Sequence, residues 1–133
     1  MAVLLNYLWE LPQAPLYIGL ERYDRAVLWH CFVASLGDGI MVLVIVAVGW
    51  ITLRRWDWFE QPGFSGYLVT FITGLTLGGS VEFVAVHILE RWEYTANMPI
   101  LPGLEVGLVP IVQMLLLPAL VFHTVAFLRS KEG

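Results

Sequence analysis

The sequence predicts an all-α, polytopic membrane protein, with three transmembrane helices and one N-terminal helix that is interfacial or re-entrant. Hydrophobic residues make up 59% of the 133 residues and charged residues 14%, and the mean hydropathy is +0.76. Soluble domains average about 45–50% apolar and about 25% charged residues. The charges also leave three long intervals that contain one carboxylate each, namely Asp38, Glu82 and Glu105. Each interval exceeds the roughly 20 residues that cross a hydrocarbon core, so the whole chain is predicted to be one integral membrane domain.

The N-terminal segment, residues 1–20, is apolar but is interrupted by Glu10 and Pro12. Proline removes a backbone donor and disrupts a helix interior. We therefore predict a helix over about residues 2–11 that lies in the interface or re-enters the membrane, with Tyr17 at headgroup depth. The alternative is that this segment forms a fourth span.

Three longer apolar segments follow, each flanked by polar or aromatic residues. The predicted spans cover about residues 26–53, 66–89 and 102–128. Trp50 and Trp58 flank the first span and are predicted to lie at a membrane interface. Pro110 and Pro118 are predicted to kink the third span, which membrane helices tolerate when neighbouring groups satisfy the freed carbonyls.

The basic residues at the two ends of the spans predict the orientation. One end carries Arg54, Arg55, Arg129 and Lys131, and the other carries Arg22, Arg25 and Arg91. Because cytoplasmic loops carry an excess of Lys and Arg, the first end and the C-terminus are predicted to be cytoplasmic. The protein is then a multi-pass protein of a bacterial or archaeal inner membrane, with residues 91–98 outside.

Several classes of partner and chemistry are not favoured. Nothing in the chain is basic enough to indicate nucleic-acid binding, and a single cysteine, Cys31, cannot form an internal disulfide. The start of the chain lacks the positive n-region of a cleavable signal peptide. The small size favours a homo-oligomer or a hetero-oligomeric membrane partner within the lipid bilayer. The sequence does not identify a cofactor.

Three polar residues at membrane depth are the candidate functional groups: Asp38, Glu82 and Gln113, one in each span. A carboxylate there costs roughly 2.5–3.5 kcal/mol on insertion scales, so it faces the bundle interior and is a functional candidate. At the helical rise per residue, the three lie ~18, ~10 and ~16 Å from the outer end. Asp38 also shares a helix face with Cys31 and Ser35. We expect Asp38 and Glu82 to approach each other or to share Gln113.

Glycines four residues apart predict two close-packed helix faces. Gly74 and Gly78 precede Glu82 at this spacing, and Gly103 and Gly107 form a second pair at the start of the third span. Small residues allow membrane helices to approach closely. Glu82 is therefore predicted to lie on a packed seam, where burial would favour its protonated form.

Structural interpretations compete with these functional ones. Asp38 and Glu82 could each simply hydrogen-bond a neighbouring helix, and Glu105 lies close enough to the outer interface to be solvated. His30 and His87 are interpreted as interfacial residues, and His123, near the inner end, as a residue that caps a helix or snorkels. A metal site could be drawn from His30, Cys31, His87 and Glu82, but no spacing matches a known ligand motif. No metal site is therefore predicted.

A set of residues around the last connection resembles the three-span domain of heterodimeric-type lycopene cyclases, which are carotenoid-pathway membrane proteins. These residues are Trp92, Tyr94, Gly103, Gly107, Pro110 and Gln113. In that family a carboxylate late in the second span precedes a Trp-x-Tyr connection, and Glu82 occupies this position here. The resemblance covers about residues 66–127. The chain departs from the family at Ile111, Val112 and Gln113, where the family has its acidic pair.

The resemblance implies a membrane pocket for a long polyene or prenyl chain. It implies that Glu82 protonates an alkene and that Asp38 stabilises the charge or passes the proton, which makes these two the catalytic candidates. The predicted substrate-binding residues are Gln113, Tyr94, Trp92 and Glu105. A buried acid beside a bilayer-soluble alkene is chemically suited to this reaction.

The function therefore has three candidate classes. The first is binding of a polyene or prenyl lipid such as a carotenoid, with cyclisation or isomerisation left open. The second is a non-catalytic transmembrane subunit of a respiratory or photosynthetic complex. The third is a small proton-coupled carrier that uses Asp38 and Glu82 as relay groups.

Overall fold

The structure, a computed structural model, describes residues 1–133 and is built from four α-helices and a short hairpin. The helices are α1, Ala2–Gln13; α2, Arg25–Leu53; α3, Gly63–Phe83; and α4, Leu108–Glu132. A 3₁₀ turn, Ala14–Leu16, follows α1, and a π-helical turn, Val84–Ile88, extends α3. Strand β1, Ile100–Leu101, pairs antiparallel with β2, Val106–Gly107.

Three of the helices are long enough and apolar enough to cross a membrane, namely Arg25–Leu53, Gly63–Ile88 and Leu108–Glu132. They correspond to the three predicted spans and confirm that part of the prediction. Their large apolar side chains point outward, as Leu43, 67% exposed, and Ile72, 58% exposed, illustrate. Apolar surface of this extent on long helices is typical of a protein whose outer face contacts hydrocarbon rather than water.

Helix α1 lies alongside the first half of α2 and runs antiparallel to it. Val3 contacts Gly39, where an added Cβ would lie 2.8 Å from Val3 Cγ2, and Ala14 packs against Val27. Glycine at position 39 therefore permits the two helices to approach closely. Tyr17 is buried rather than exposed at an interface, because it packs against the rings of the later connection.

Pro12 does not end α1, which continues to Gln13. The proline lies in the last turn, so its missing N–H costs the helix one hydrogen bond near an end that already has free carbonyls. The side chain of Gln13 also stabilises this turn, because its Oε1 accepts a hydrogen bond from Trp9 Nε1 at 2.8 Å.

The seam between α3 and α4 forms as predicted at Gly74 and Gly78. A Cβ at Gly74 would collide with the backbone oxygen of Met114, and one at Gly78 would lie 3.0 Å from Met114 Cβ. The two helices therefore pack backbone to backbone beside Glu82, which is buried.

The predicted start of the third span at residue 102 is wrong, and so is the second glycine stripe. Gly103 and Glu105 have φ values of 95° and 53°, and they reverse the chain between β1 and β2. Helix α4 begins at Leu108, and Pro110 therefore lies in its first turn, where an N–H would have no intrahelical partner. Pro110 lies in the first turn and does not kink the helix, whereas Pro118 lies within it.

The end of the molecule opposite residues 91–98 has a conventional apolar core. It contains Val42, Ile45, Trp58, Val121 and Phe122. Trp58 is fully buried, and its Nε1 donates to the carbonyl of Val46 at 3.0 Å. The prediction that Trp58 lies at an interface is wrong, because the loop folds back and inserts this ring between the helices.

Candidate functional site

A cavity of about 550 Å³ lies in the half of the molecule that contains residues 91–98. Small-molecule sites occupy about 300–1,000 Å³. All four helices contribute to the lining, and 11 of the 21 lining residues are hydrophobic. The buried polar residues of the lining are Glu10, Gln13, Asp38, Glu82 and Gln113. The cavity thus combines apolar walls with a few converging polar groups.

The Gln113 side chain connects three elements at the floor of this cavity. Its Nε2 lies 2.9 Å from Asp38 Oδ2, 3.1 Å from Glu10 Oε1 and 2.8 Å from Asn6 Oδ1. An amide nitrogen carries two hydrogens, so these three acceptors share two donors. One residue of α4 therefore holds both α1 and α2.

Two helix faces with the same spacing bring these groups together. The face on α1 consists of Asn6, Glu10 and Gln13, and the face on α2 consists of Cys31, Ser35 and Asp38. In each helix the residues follow an i, i+4, i+7 pattern and share one face. All six are buried, whereas Leu4 and Leu8 of α1 point outward. Helix α1 therefore presents its polar face to the bundle and its apolar face to the surroundings.

The carboxyl groups of Glu10 and Asp38 lie side by side, because both accept from Gln113 Nε2. Two neighbouring carboxyl groups repel each other when both are charged. Burial raises the pKa of Glu10 because desolvation disfavours the charged form, although hydrogen bonds from Gln113 and Asp38 partly oppose this. Neither carboxyl belongs to any of the three ion pairs of the structure. No basic side chain therefore neutralises the pair.

Glu82 belongs to a second polar cluster. Its Oε2 accepts hydrogen bonds from Tyr94 Oη at 2.5 Å and from Trp92 Nε1 at 3.4 Å. Burial raises the pKa of the Tyr94 phenol, and the hydrogen bond to Glu82 raises it further. Tyr94 is therefore a proton-bearing donor that orients Glu82.

The connection that carries Trp92 and Tyr94 is attached to the segment after α1. Ile18 N donates to Glu93 O at 3.0 Å, and Thr95 N donates to Leu16 O at 2.8 Å. The Tyr17 ring packs 5.6 Å from Tyr94 and 6.2 Å from Trp92, measured between ring centroids. These contacts position Tyr17 and Trp92 in the wall of the cavity.

The structure brings together four of the six predicted site residues, since Asp38, Glu82, Gln113 and Trp92 all line the cavity. Asp38 accepts from Gln113, but the predicted sharing of Gln113 by Asp38 and Glu82 is wrong. Glu82 does not bind Gln113, because Trp92 and Tyr94 fold back onto it. Tyr94 lies behind Glu82, outside the lining. The roles assigned to these residues stay predictions.

Glu105 lies away from the cavity, in the exposed turn between β1 and β2. Its backbone oxygen, with that of Leu104, lies within 3.1 Å of His87 Nε2. The Glu105 carboxylate is therefore not part of the cavity lining, in contrast to its predicted substrate-binding role. No group of three or more His, Cys, Asp or Glu side chains is arranged to hold a metal ion.

The sequence interpretation missed Asn6, Glu10 and Gln13 as site residues. Their spacing was the available signal, because three polar side chains on one face of an otherwise apolar helix indicate a buried polar contact.

Comparisons with protein-family models, with curated proteins and with solved structures found no match to this chain.

Proposed function

We propose that this protein is a small integral membrane protein that binds one lipid-like molecule with a long polyene or prenyl chain. The observation that carries the proposal is the cavity itself, which combines apolar walls with a buried polar floor. Largely apolar cavities with a few converging polar groups are the usual form of small-molecule sites.

The walls suit an extended hydrocarbon chain. They include Ile18 from the segment after α1, Val33 and Met41 from α2, Val81 from α3 and Met114 from α4. Methionine side chains are flexible and polarisable and adapt to ligands of irregular shape. A cavity of about 550 Å³ accommodates one medium-sized amphiphile or one end of a longer polyene.

The polar floor places carboxylic acids beside the bound polyene, where they can act as proton donors. Glu10, Asp38 and Glu82 all line this cavity, and burial raises the pKa of Glu10, which favours its protonated form. A positioned carboxylic acid can protonate an alkene in a site that excludes water. Cyclisation or isomerisation of the polyene is therefore the reaction class that we propose to test once a ligand is found.

The test uses two glycines that have no neighbouring atoms within 4 Å of an added Cβ. Gly37 lines the cavity, whereas Gly79 lies outside the lining on α3. Leucine at position 37 is expected to fill part of the cavity, and leucine at position 79 is the matched control. We expect the wild-type protein and Gly79→Leu to retain an extractable polyene or prenyl lipid through purification in mild detergent, and Gly37→Leu to lose most of it.

Two outcomes would overturn the proposal. Retention of the same lipid by Gly37→Leu would mean that it binds elsewhere on the apolar surface. Purification without any lipid, but with stoichiometric partner chains, would favour the complex subunit instead.

A further inference from the structure

The cavity floor has many more hydrogen-bond acceptors than donors. The carboxyl groups of Glu10, Asp38 and Glu82 bring six oxygen atoms to the floor, and only Glu10 Oε1, Asp38 Oδ2 and Glu82 Oε2 accept from a side-chain nitrogen or hydroxyl group. Four side-chain hydrogen bonds from donor groups reach them: two from Gln113, one from Trp92 and one from Tyr94. The other carboxyl oxygens on the floor are therefore free.

The donors around the floor are largely occupied. Both amide hydrogens of Gln113 are shared among three acceptors, and the donors of Trp92 and Tyr94 both point to Glu82. Tyr17 accepts from Gln13 Nε2 at 3.4 Å and retains its own phenolic hydrogen. The Tyr17 phenol and the second amide hydrogen of Gln13 are too few to give every free carboxyl oxygen a donor. A molecule that fills this cavity therefore has to supply donors of its own.

We propose that the cavity recognises a prenyl or polyene alcohol, whose hydroxyl group donates to the carboxyl oxygens of Glu10 and Asp38 at the floor. This inference rests on the proposed function and names the chemical class of its ligand. A hydrocarbon of the same length would leave the floor without donors. A carboxylate or phosphate would bring only acceptors and a negative charge toward three carboxyl groups, which is unfavourable.

The cationic residues of the lining do not change this assignment. Arg91 and His30 are exposed, whereas the carboxyl groups and Gln113 are buried. An anionic head group held by Arg91 would direct its hydrocarbon tail onto the polar floor, where buried acceptors would face an apolar chain. Burying polar groups without partners is costly, so the hydroxyl end at the floor is the favoured orientation.

The test is a competition between four probes of one chain length: geranylgeraniol, geranylgeranoic acid, geranylgeranyl phosphate and the matching hydrocarbon. The purified protein is incubated with equal amounts of the four in mild detergent, and the bound species are quantified by native mass spectrometry. We expect the alcohol to be bound at least about tenfold more than the hydrocarbon, which corresponds to one hydroxyl hydrogen bond to a charged or polar partner. The acid and the phosphate are expected to bind less than the alcohol.

Two isosteric variants test the role of the floor. Glu10→Gln and Asp38→Asn each replace a carboxyl oxygen with an amide donor, so each is expected to reduce the preference for the alcohol to less than about threefold. Glu132→Gln, which changes an exposed carboxylate at the opposite end of α4, is the control and is expected to retain the wild-type preference. Thermal unfolding of each variant without probe establishes that it is folded.

The outcomes separate this inference from the proposed function. Equal binding of the alcohol and the hydrocarbon, or preferential binding of the phosphate, would overturn the assignment of an alcohol while the cavity remained a lipid site. Failure of all four probes to bind would overturn the proposed function itself. The comparison of probes on the wild-type protein requires no variant to fold.

Discussion

Gln113 Nε2 donates to Asp38 Oδ2 at 2.9 Å in the interior of the bundle. The contact joins the first turns of α4 to the middle of α2, and Gln113 is only 2% exposed. Membrane helices use such polar contacts because a buried polar group without a partner is costly in hydrocarbon. The same amide nitrogen also reaches α1, so this contact organises the floor of the cavity.

Gln113→Leu is expected to destabilise the protein. Leucine has a similar size but leaves Asp38, Glu10 and Asn6 without their common donor, and each buried group left unpaired costs roughly 1–3 kcal/mol. The expected result is a clear decrease in the thermal unfolding temperature in detergent. Gln61→Leu, at an exposed loop position, is the control and is expected to change the free energy of unfolding by no more than about 0.5 kcal/mol. Equal unfolding temperatures for the two variants would contradict the structural role of Gln113.

Substitutions at Glu82 distinguish a structural role from an acid role. Glutamine retains an oxygen that can accept from Trp92 and Tyr94, so Glu82→Gln is expected to fold with near wild-type stability. Glu82→Leu leaves both donors unpaired and is expected to lose roughly 1–3 kcal/mol. Thermal unfolding in detergent measures both effects.

An acid role for Glu82 adds a second expectation. The amide of Glu82→Gln cannot supply a proton, so the variant should bind the polyene but leave it chemically unchanged, as chromatography of the extracted lipid would reveal. If Glu82→Gln formed the same products as the wild-type protein, the acid role of Glu82 would be excluded and only its structural role would remain.

The stability of the protein is expected to decrease as the pH rises through the folded-state pKa of Glu10. Burial raises that pKa above its ordinary value of 4.5, so the folded protein binds more protons than the unfolded chain over this pH range, and stability falls with increasing pH. The groups that face Glu10 are Asp38 and Cys31 on α2, Gln113 on α4, Glu82 on α3 and Tyr17 on the following segment.

Thermal unfolding across a pH series measures this dependence. Glu10→Gln removes one of the buried titrating groups and is expected to make the decrease smaller, whereas Glu132→Gln is expected to retain it in full. An increase of wild-type stability over the same pH range would contradict a protonated Glu10 in the folded state.

The orientation can be tested with single cysteines at the two ends of the bundle. Ala96→Cys lies in the exposed connection after Tyr94, and Ser130→Cys lies in the exposed last turn of α4. A membrane-impermeant thiol reagent added to intact cells is expected to label Ala96→Cys and not Ser130→Cys, because the distribution of basic residues predicts a cytoplasmic C-terminus. Labelling of Ser130→Cys alone would reverse the topology. The native Cys31 is buried and serves as the unlabelled background.

The positions of the three long helices were predictable from the sequence because they depend on a local property. A run of about 20 residues with one charge can satisfy its backbone in hydrocarbon only as a helix, so α2 and most of α3 lie where the charge intervals placed them. The start of α4 was not predictable in this way. Residues 100–107 are apolar enough to continue a span, but Gly103 and Glu105 adopt positive φ values that form a hairpin.

The inward orientation of Asp38 was determined by the sequence alone, because a single carboxylate on an apolar helix has no favourable place in lipid. Which partner it finds was decided only by the tertiary structure. Gln113 lies 103 residues after Glu10, and no periodicity within α1 could identify the residue of α4 that satisfies it. Likewise, Glu82 accepts from Tyr94 and not from the predicted partner Gln113, because the connection after α3 folds back over it. Hydrogen bonds between distant segments depend on how the helices pack, and local sequence patterns specify which groups need partners but not which partners they find.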